Sequence, residues 1–182
     1  MKAFYLYTIV FFLLFTSCKS LKNNTKDTQI RALNALVESK YYTIESNWAN
    51  PQLTNAMQQV LNSGILQPGN SANAISLIGN SNFLTISGDS ISSHLPYFGE
   101  RQMHVDYGGG DSAIQLEGVL EDYTTKKGKH NRYNISFDAK SKSEYFTVNI
   151  TLFPNLTSLI QITGSGRFPI SYTGHVKSLK KE

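Results

Sequence analysis

From residue 113 onward the chain is cut into short alternating segments by connections that allow little but hairpins. The segments are 113–116, 119–125, 132–139, 144–153, 156–163 and 170–177, with connections as brief as Pro154-Asn155. Parallel neighbours need crossovers of about a dozen residues or more, so these strands are expected to pair antiparallel. Pro154 falls at a strand end, where its missing N–H does little harm. Upstream, residues 41–48 alternate, 75–78 form a short apolar run, and 83–87 and 90–95 flank Gly88-Asp89, a two-residue link suited to a tight hairpin. The pattern predicts a mainly β fold, an antiparallel meander of about nine or ten strands. A sandwich and a curled, lipocalin-like barrel both satisfy it.

One or two helices are expected near the amino terminus. Ile30, Leu33, Leu36 and Val37 share one helical stripe over 28–40, with Asp27 or Thr28 to cap the start and Lys40 at the end. The opposite face is mixed rather than basic, which favours packing on the core over lying on a membrane. Leu53, Met57, Val60 and Leu61 repeat at helical spacing, so a second, short helix is read over 52–62, ending at Gly64.

The extreme amino terminus is of another kind. Lys2 is followed by an apolar run over 3–15 and then Thr16-Ser17-Cys18. As a helix that run reaches roughly 20 Å, short of the ~30 Å hydrocarbon core, so it suits a secretory signal better than a permanent span. Small residues before a cysteine resemble the lipobox of bacterial lipoproteins, with Phe15 standing where leucine is usual. The resemblance implies a signal peptide over 1–17, acylation of Cys18, a polar tether over 18–27 and a single domain over 28–182. No acidic run follows the cysteine, so the expected place is the cell envelope, anchored in the outer membrane and facing the periplasm. Cys18 is the only cysteine, which excludes a disulfide framework and a multi-cysteine zinc site.

Chemistry, if present, should collect in the long connection over 95–111, since long loops on rigid scaffolds are where function concentrates. Tyr97, Phe98, Glu100, Arg101, His104, Asp106 and Tyr107 are its candidate binding surface, followed by three glycines at 108–110. These glycines lack the lysine and strand-to-helix context of a phosphate loop. His94, His104, Glu100, Asp106 and Asp111 match no metal-ligand spacing, and Gly164-Ser165-Gly166 is too short for a nucleophile elbow. No metal, cofactor or catalytic residue is therefore assigned. The basic stretch over 126–132 reads as a solvated hairpin that resists edge pairing, with an anionic glycan or lipid headgroup as its alternative partner. Nucleic acid is not expected outside the cytoplasm. The leading expectation is a non-enzymatic module, its partners the membrane through the anchor and an unidentified protein or glycan. The alternative is a small hydrolase of envelope or dietary polymers using Glu100, Asp106 or His104 as acid and base.

Three segments carry a family resemblance: 83–99 (FLTISGDSISSHLPYFG), 146–155 (FTVNITLFPN) and 170–174 (ISYTG). Together they resemble a lipoprotein family of the Bacteroidota catalogued as domain of unknown function 4251, over roughly residues 41–176. The stretch 51–73 is longer than that family's pattern suggests. The resemblance implies export and lipidation, and it implies no activity.

Overall fold

The computed structural model describes residues 22–65, 68–102, 113–141 and 144–179. In chain order these form α1 (Lys22–Ser39), β1 (Tyr41–Pro51), α2 (Asn55–Asn62), β2 (Ile75–Ser76), β3 (Phe83–Ser87), β4 (Ser90–His94), β5 (Glu117–Val119), β6 (Glu121–Lys127), β7 (Tyr133–Ser141), β8 (Glu144–Leu152), β9 (Thr157–Gly164) and β10 (Arg167–Ser178). All ten strands join one antiparallel sheet, in the order β5-β4-β3-β1-β10-β9-β8-β7-β6, with β2 beside β1. The two outer strands of that order, β5 and β6, are consecutive in the chain and separated by Leu120 alone. One stretch of chain thus pairs with β4 through its first half and with β7 through its second. The sheet curls into a nearly closed barrel, and the barrel reading is the one the fold adopts.

Alternation sorts each strand into an inner and an outer face. Tyr42 and Ile44, Leu84 and Ile86, Ile135 and Phe137, Val148 and Ile150, Ile160 and Ile162, and Tyr172 and Val176 turn inward and are fully or almost fully buried. Each such side chain contributes about 1.5–3 kcal/mol by leaving water. Leu33, Leu36 and Val37 of α1 join the same cluster, so the helix packs on the core as its stripe predicted. Lys40 ends the helix with φ 53, and Ser39 Oγ donates to Leu36 O at 2.8 Å.

β1 makes the sharpest adjustment. An irregularity between Ser46 and Trp48 interrupts its register with β10. There the Asn82 side chain replaces a strand neighbour, accepting from Ser46 N at 2.8 Å and donating to Ser46 O at 3.0 Å. Gly174 lies opposite, and a Cβ on it would come within 2.0 Å of Glu45 O, so the close approach of the two backbones requires glycine.

Several element bounds differ from the sequence reading. α1 begins at Lys22 rather than at 28, so most of the stretch expected as tether is helical. The sequence of its first turns is polar and shows no apolar period before Ile30. α2 begins at Asn55 rather than at 52. Residues 113–116 contribute a single bridge, Leu95 to Ile114, and the strand expected over 119–125 is divided at Leu120.

The pairings give the barrel two distinct ends. At the helix end lie α1, the start of β1, the Gly88-Asp89 hairpin, the β6–β7 turn, the β8–β9 turn and the end of β10. At the loop end lie α2, residues 95–102 and the β9–β10 turn.

Candidate functional site

The base of the 95–116 connection is built from residues far apart in sequence. Leu95 and Ile114 exchange backbone hydrogen bonds at 3.1 and 2.7 Å, closing the connection at its root. The outgoing strand then runs beside the start of β10. Phe168 N donates to Glu100 O at 3.1 Å, and Gln102 N donates to Gly166 O at 2.9 Å. Pro96 leaves β4 without a donor of its own, and its carbonyl accepts from Tyr172 Oη at 2.9 Å.

Tyr97 is the centre of this base. Its ring is buried, and its hydroxyl proton is shared between Glu100 O at 2.7 Å and Phe168 O at 3.0 Å. The ring folds back over Gly99, where a Cβ would meet Tyr97 Oη at 2.4 Å. The Arg167 guanidinium sits 5.1 Å from the Tyr97 ring centroid and 5.6 Å from that of Phe146, a cation between two aromatic rings. Arg167 Nε donates to Glu144 Oε2 at 2.8 Å in a largely buried ion pair. Glu144 Oε1 also accepts from Gly166 N at 3.3 Å, which ties the β8 start to the β9–β10 turn. Phe98 is half-buried and packs against both the main core and the small Met57–Ala72–Ile75 cluster beneath α2. The two adjacent rings therefore divide as alternation requires, Tyr97 into the core and Phe98 between two clusters.

Of the candidate surface, the structure thus brings Tyr97, Phe98, Glu100 and Arg101 together at the loop end. Arg101 forms a backbone bridge with Arg167. His104, Asp106 and Tyr107 lie outside the described residues, as does Cys18. His94 closes β4, His130 stands in the β6–β7 turn and His175 is on the outer face of β10, so these three are not brought together. Among the described residues no group of three or more His, Cys, Asp or Glu side chains is placed to hold a metal ion. The sequence reading missed Glu144, Phe146 and Arg167. They lie 44 or more positions from Glu100, and no local pattern marks them.

The groups whose ionisation the fold moves most are tyrosines. Burial pushes Tyr42 and Tyr172 well above the ordinary tyrosine value and raises Tyr97 too, with Arg167 opposing the rise at Tyr97 and Tyr172. The hydroxyls of Tyr42 and Tyr123 are both buried and close to each other, and Tyr123 adds to the rise at Tyr42. Two depressions lie on the outer wall. One, of about 420 Å³, is flanked by Trp48, Phe153 and His175. The other, of about 340 Å³, lies beside Tyr145 and includes Glu121 and Asp138, which face each other across β6 and β7. Thr147 Oγ1 donates to Asp138 Oδ1 at 2.7 Å.

No curated protein matches this chain. A crystal structure of a DUF4251 family protein from Bacteroides eggerthii superposes with a TM-score of 0.56 at 12% identity, covering 83% of this chain and 88% of that one. At that identity the likeness shows a shared fold. The family described as domain of unknown function (DUF4251) matches residues 24–176. The chain therefore belongs to the DUF4251 family, a domain of unknown function.

Proposed function

We propose that this is a lipid-anchored protein of the bacterial envelope whose barrel is a non-enzymatic binding module. The observation that carries the anchor is the junction itself. A short apolar run ends in Thr16-Ser17-Cys18, and α1 starts at Lys22 with only three residues between it and the cysteine. Several buried acyl chains, at about 0.8 kcal/mol per CH₂, hold a protein on a membrane stably. The proposed location is the outer membrane, facing the periplasm.

The binding face is the loop end. Residues 103–112 connect two fixed posts, Gln102 on the β9–β10 turn and Ile114 on β4. A long connection on so rigid a base is the usual setting for recognition. The tyrosines whose ionisation is most shifted serve the scaffold, two of them bonding backbone carbonyls, which supports binding over acid-base work. The ligand is read as a protein or glycan of the envelope.

Growth with labelled palmitate tests the anchor: the wild-type chain takes up label and Cys18→Ser does not. Replacing residues 103–112 with a glycine-serine linker tests the binding face. The variant should melt within a few degrees of wild type and lose the partner recovered by cross-linking in intact cells. Label on Cys18→Ser, or an unchanged cross-linked partner, overturns the corresponding half of the reading.

A further inference from the structure

We propose that the helix end of the barrel is a membrane-apposed face. It rests on anionic phosphate headgroups through Lys26 and the basic β6–β7 turn, and turns the loop end away from the bilayer. The inference rests on the anchor reading and adds an orientation and a second contact to it.

Between Cys18 and Lys22 the chain spans at most about 14 Å even when fully extended, so an acylated Cys18 keeps the start of α1 close to the headgroups. That part of the helix borders the β8–β9 turn, where Lys26, Gln29, Phe153, Pro154 and Asn155 line a depression of about 450 Å³. The anchor therefore emerges at the helix end. The loop end lies one strand length away, roughly 30 Å for a nine-residue strand.

Charge marks the same end. Lys126, Lys127, Lys129 and Arg132 project from the β6–β7 turn, exposed and without an ion pair among the described residues. The turn is held in shape by Gly128 N donating to Arg132 O at 2.8 Å. Its stem is tied to α1, where Lys127 Nζ and Tyr133 Oη both donate to Asn34 Oδ1. Near this end Asp89 and Glu45 are matched by Lys40 and Lys177, Asp27 and Glu38 stand against Lys26 and Arg31 on the helix, and Glu117, Glu121 and Asp122 lie along the β5–β6 stretch whose Leu120 N donates to Asp89 O. The opposite end carries Glu100, Asp138 and Glu144 against Arg101, Lys140 and Arg167. A strand length of roughly 30 Å is close to four Debye lengths at physiological salt, so a charged surface acts far more strongly on the near end than on the far one. A basic cluster beside a lipid attachment point is what an anionic headgroup layer attracts, each residue strengthening the contact about fivefold.

The test uses the lipid-anchored protein in phosphatidylcholine vesicles, with and without phosphatidylglycerol. An environment-sensitive dye is placed on Asn155→Cys at the helix end or on Ser165→Cys at the loop end, and quenched by a headgroup spin label. With phosphatidylglycerol, the dye at 155 should be quenched at least about twofold more than the dye at 165. The difference should shrink in high salt and in the Lys126→Glu, Lys127→Glu, Lys129→Glu triple variant, whose melting temperature confirms folding. Equal quenching at both sites, or a difference that survives charge reversal, overturns the proposal. Flotation of the unlabelled protein with pure phosphatidylcholine in high salt reads the anchor separately. If the protein does not float there, the anchor reading has failed. The basic face then stands only if the protein still binds phosphatidylglycerol vesicles at low salt and the triple variant binds about a hundredfold more weakly.

Discussion

Replacing Tyr97 measures how firmly the base of the loop is fixed. The ring is 6% exposed, so Tyr97→Ala loses a large buried aromatic group, about 3 kcal/mol at the low end for such a truncation. The hydroxyl shared by Glu100 O and Phe168 O adds about 1 kcal/mol, since both carbonyls then lose a donor. The total of about 4 kcal/mol corresponds to a fall in melting temperature of roughly 8–16 °C for a domain of this size. Tyr97→Phe keeps the ring and its contact with Arg167, and should cost only about 1 kcal/mol, roughly 2–4 °C. Tyr145→Ala, an exposed ring on the outer wall, is the control and should stay within about 0.5 kcal/mol of wild type. Differential scanning calorimetry of the three variants ranks them directly. If Tyr97→Ala melts with the Tyr145→Ala control, the ring carries no load and the loop base is not built as argued.

Gly174→Ala should yield little soluble protein, because its Cβ meets the Glu45 carbonyl of the neighbouring strand and neither backbone has room to move; recovery after expression checks this. Arg167→Met leaves Glu144 largely buried without its cation and should cost about 2–3 kcal/mol in urea unfolding, while pairing it with Glu144→Gln recovers part of the loss. Alkaline stability follows from the tyrosines. Tyr42, Tyr97 and Tyr172 hold their protons more tightly folded than unfolded, so their contribution is complete below the ordinary value near 10 and is lost as pH rises above it. Each retained proton steepens the loss by about 1.4 kcal/mol per pH unit, and Tyr172→Phe should make the decline measurably shallower.

Alternation and turn chemistry made most of the barrel wall legible. β7 to β10 stand within three residues of the bounds expected for them, because each strand has one buried face and a short hairpin link. Closure was not legible. It depends on Leu120 dividing a run that reads as one strand, so that its halves pair with strands at opposite edges of the sheet. The early start of α1 was hidden for another reason. The sequence over Lys22 to Asp27 has no apolar period to mark a helix, and the helix runs through it by backbone hydrogen bonding. At the loop end, Tyr97 and Phe98 could be singled out as adjacent rings after a proline. Their partners Arg167 and Glu144 could not, since only the folded sheet brings the β9–β10 turn beside residues 96–102. The basic turn at 126–132 was conspicuous in sequence, but that it shares an end with the start of α1 emerges only from the pairing order.

The central claim is that Cys18 is the acylated amino terminus from which this domain stands on the membrane. Mass analysis of the amino-terminal peptide from protein purified out of the membrane fraction tests it most directly. The account predicts a peptide that begins at Cys18 and carries a thioether-linked diacylglyceryl group and an amide-linked acyl chain. A peptide beginning elsewhere, or an unmodified Cys18, contradicts it.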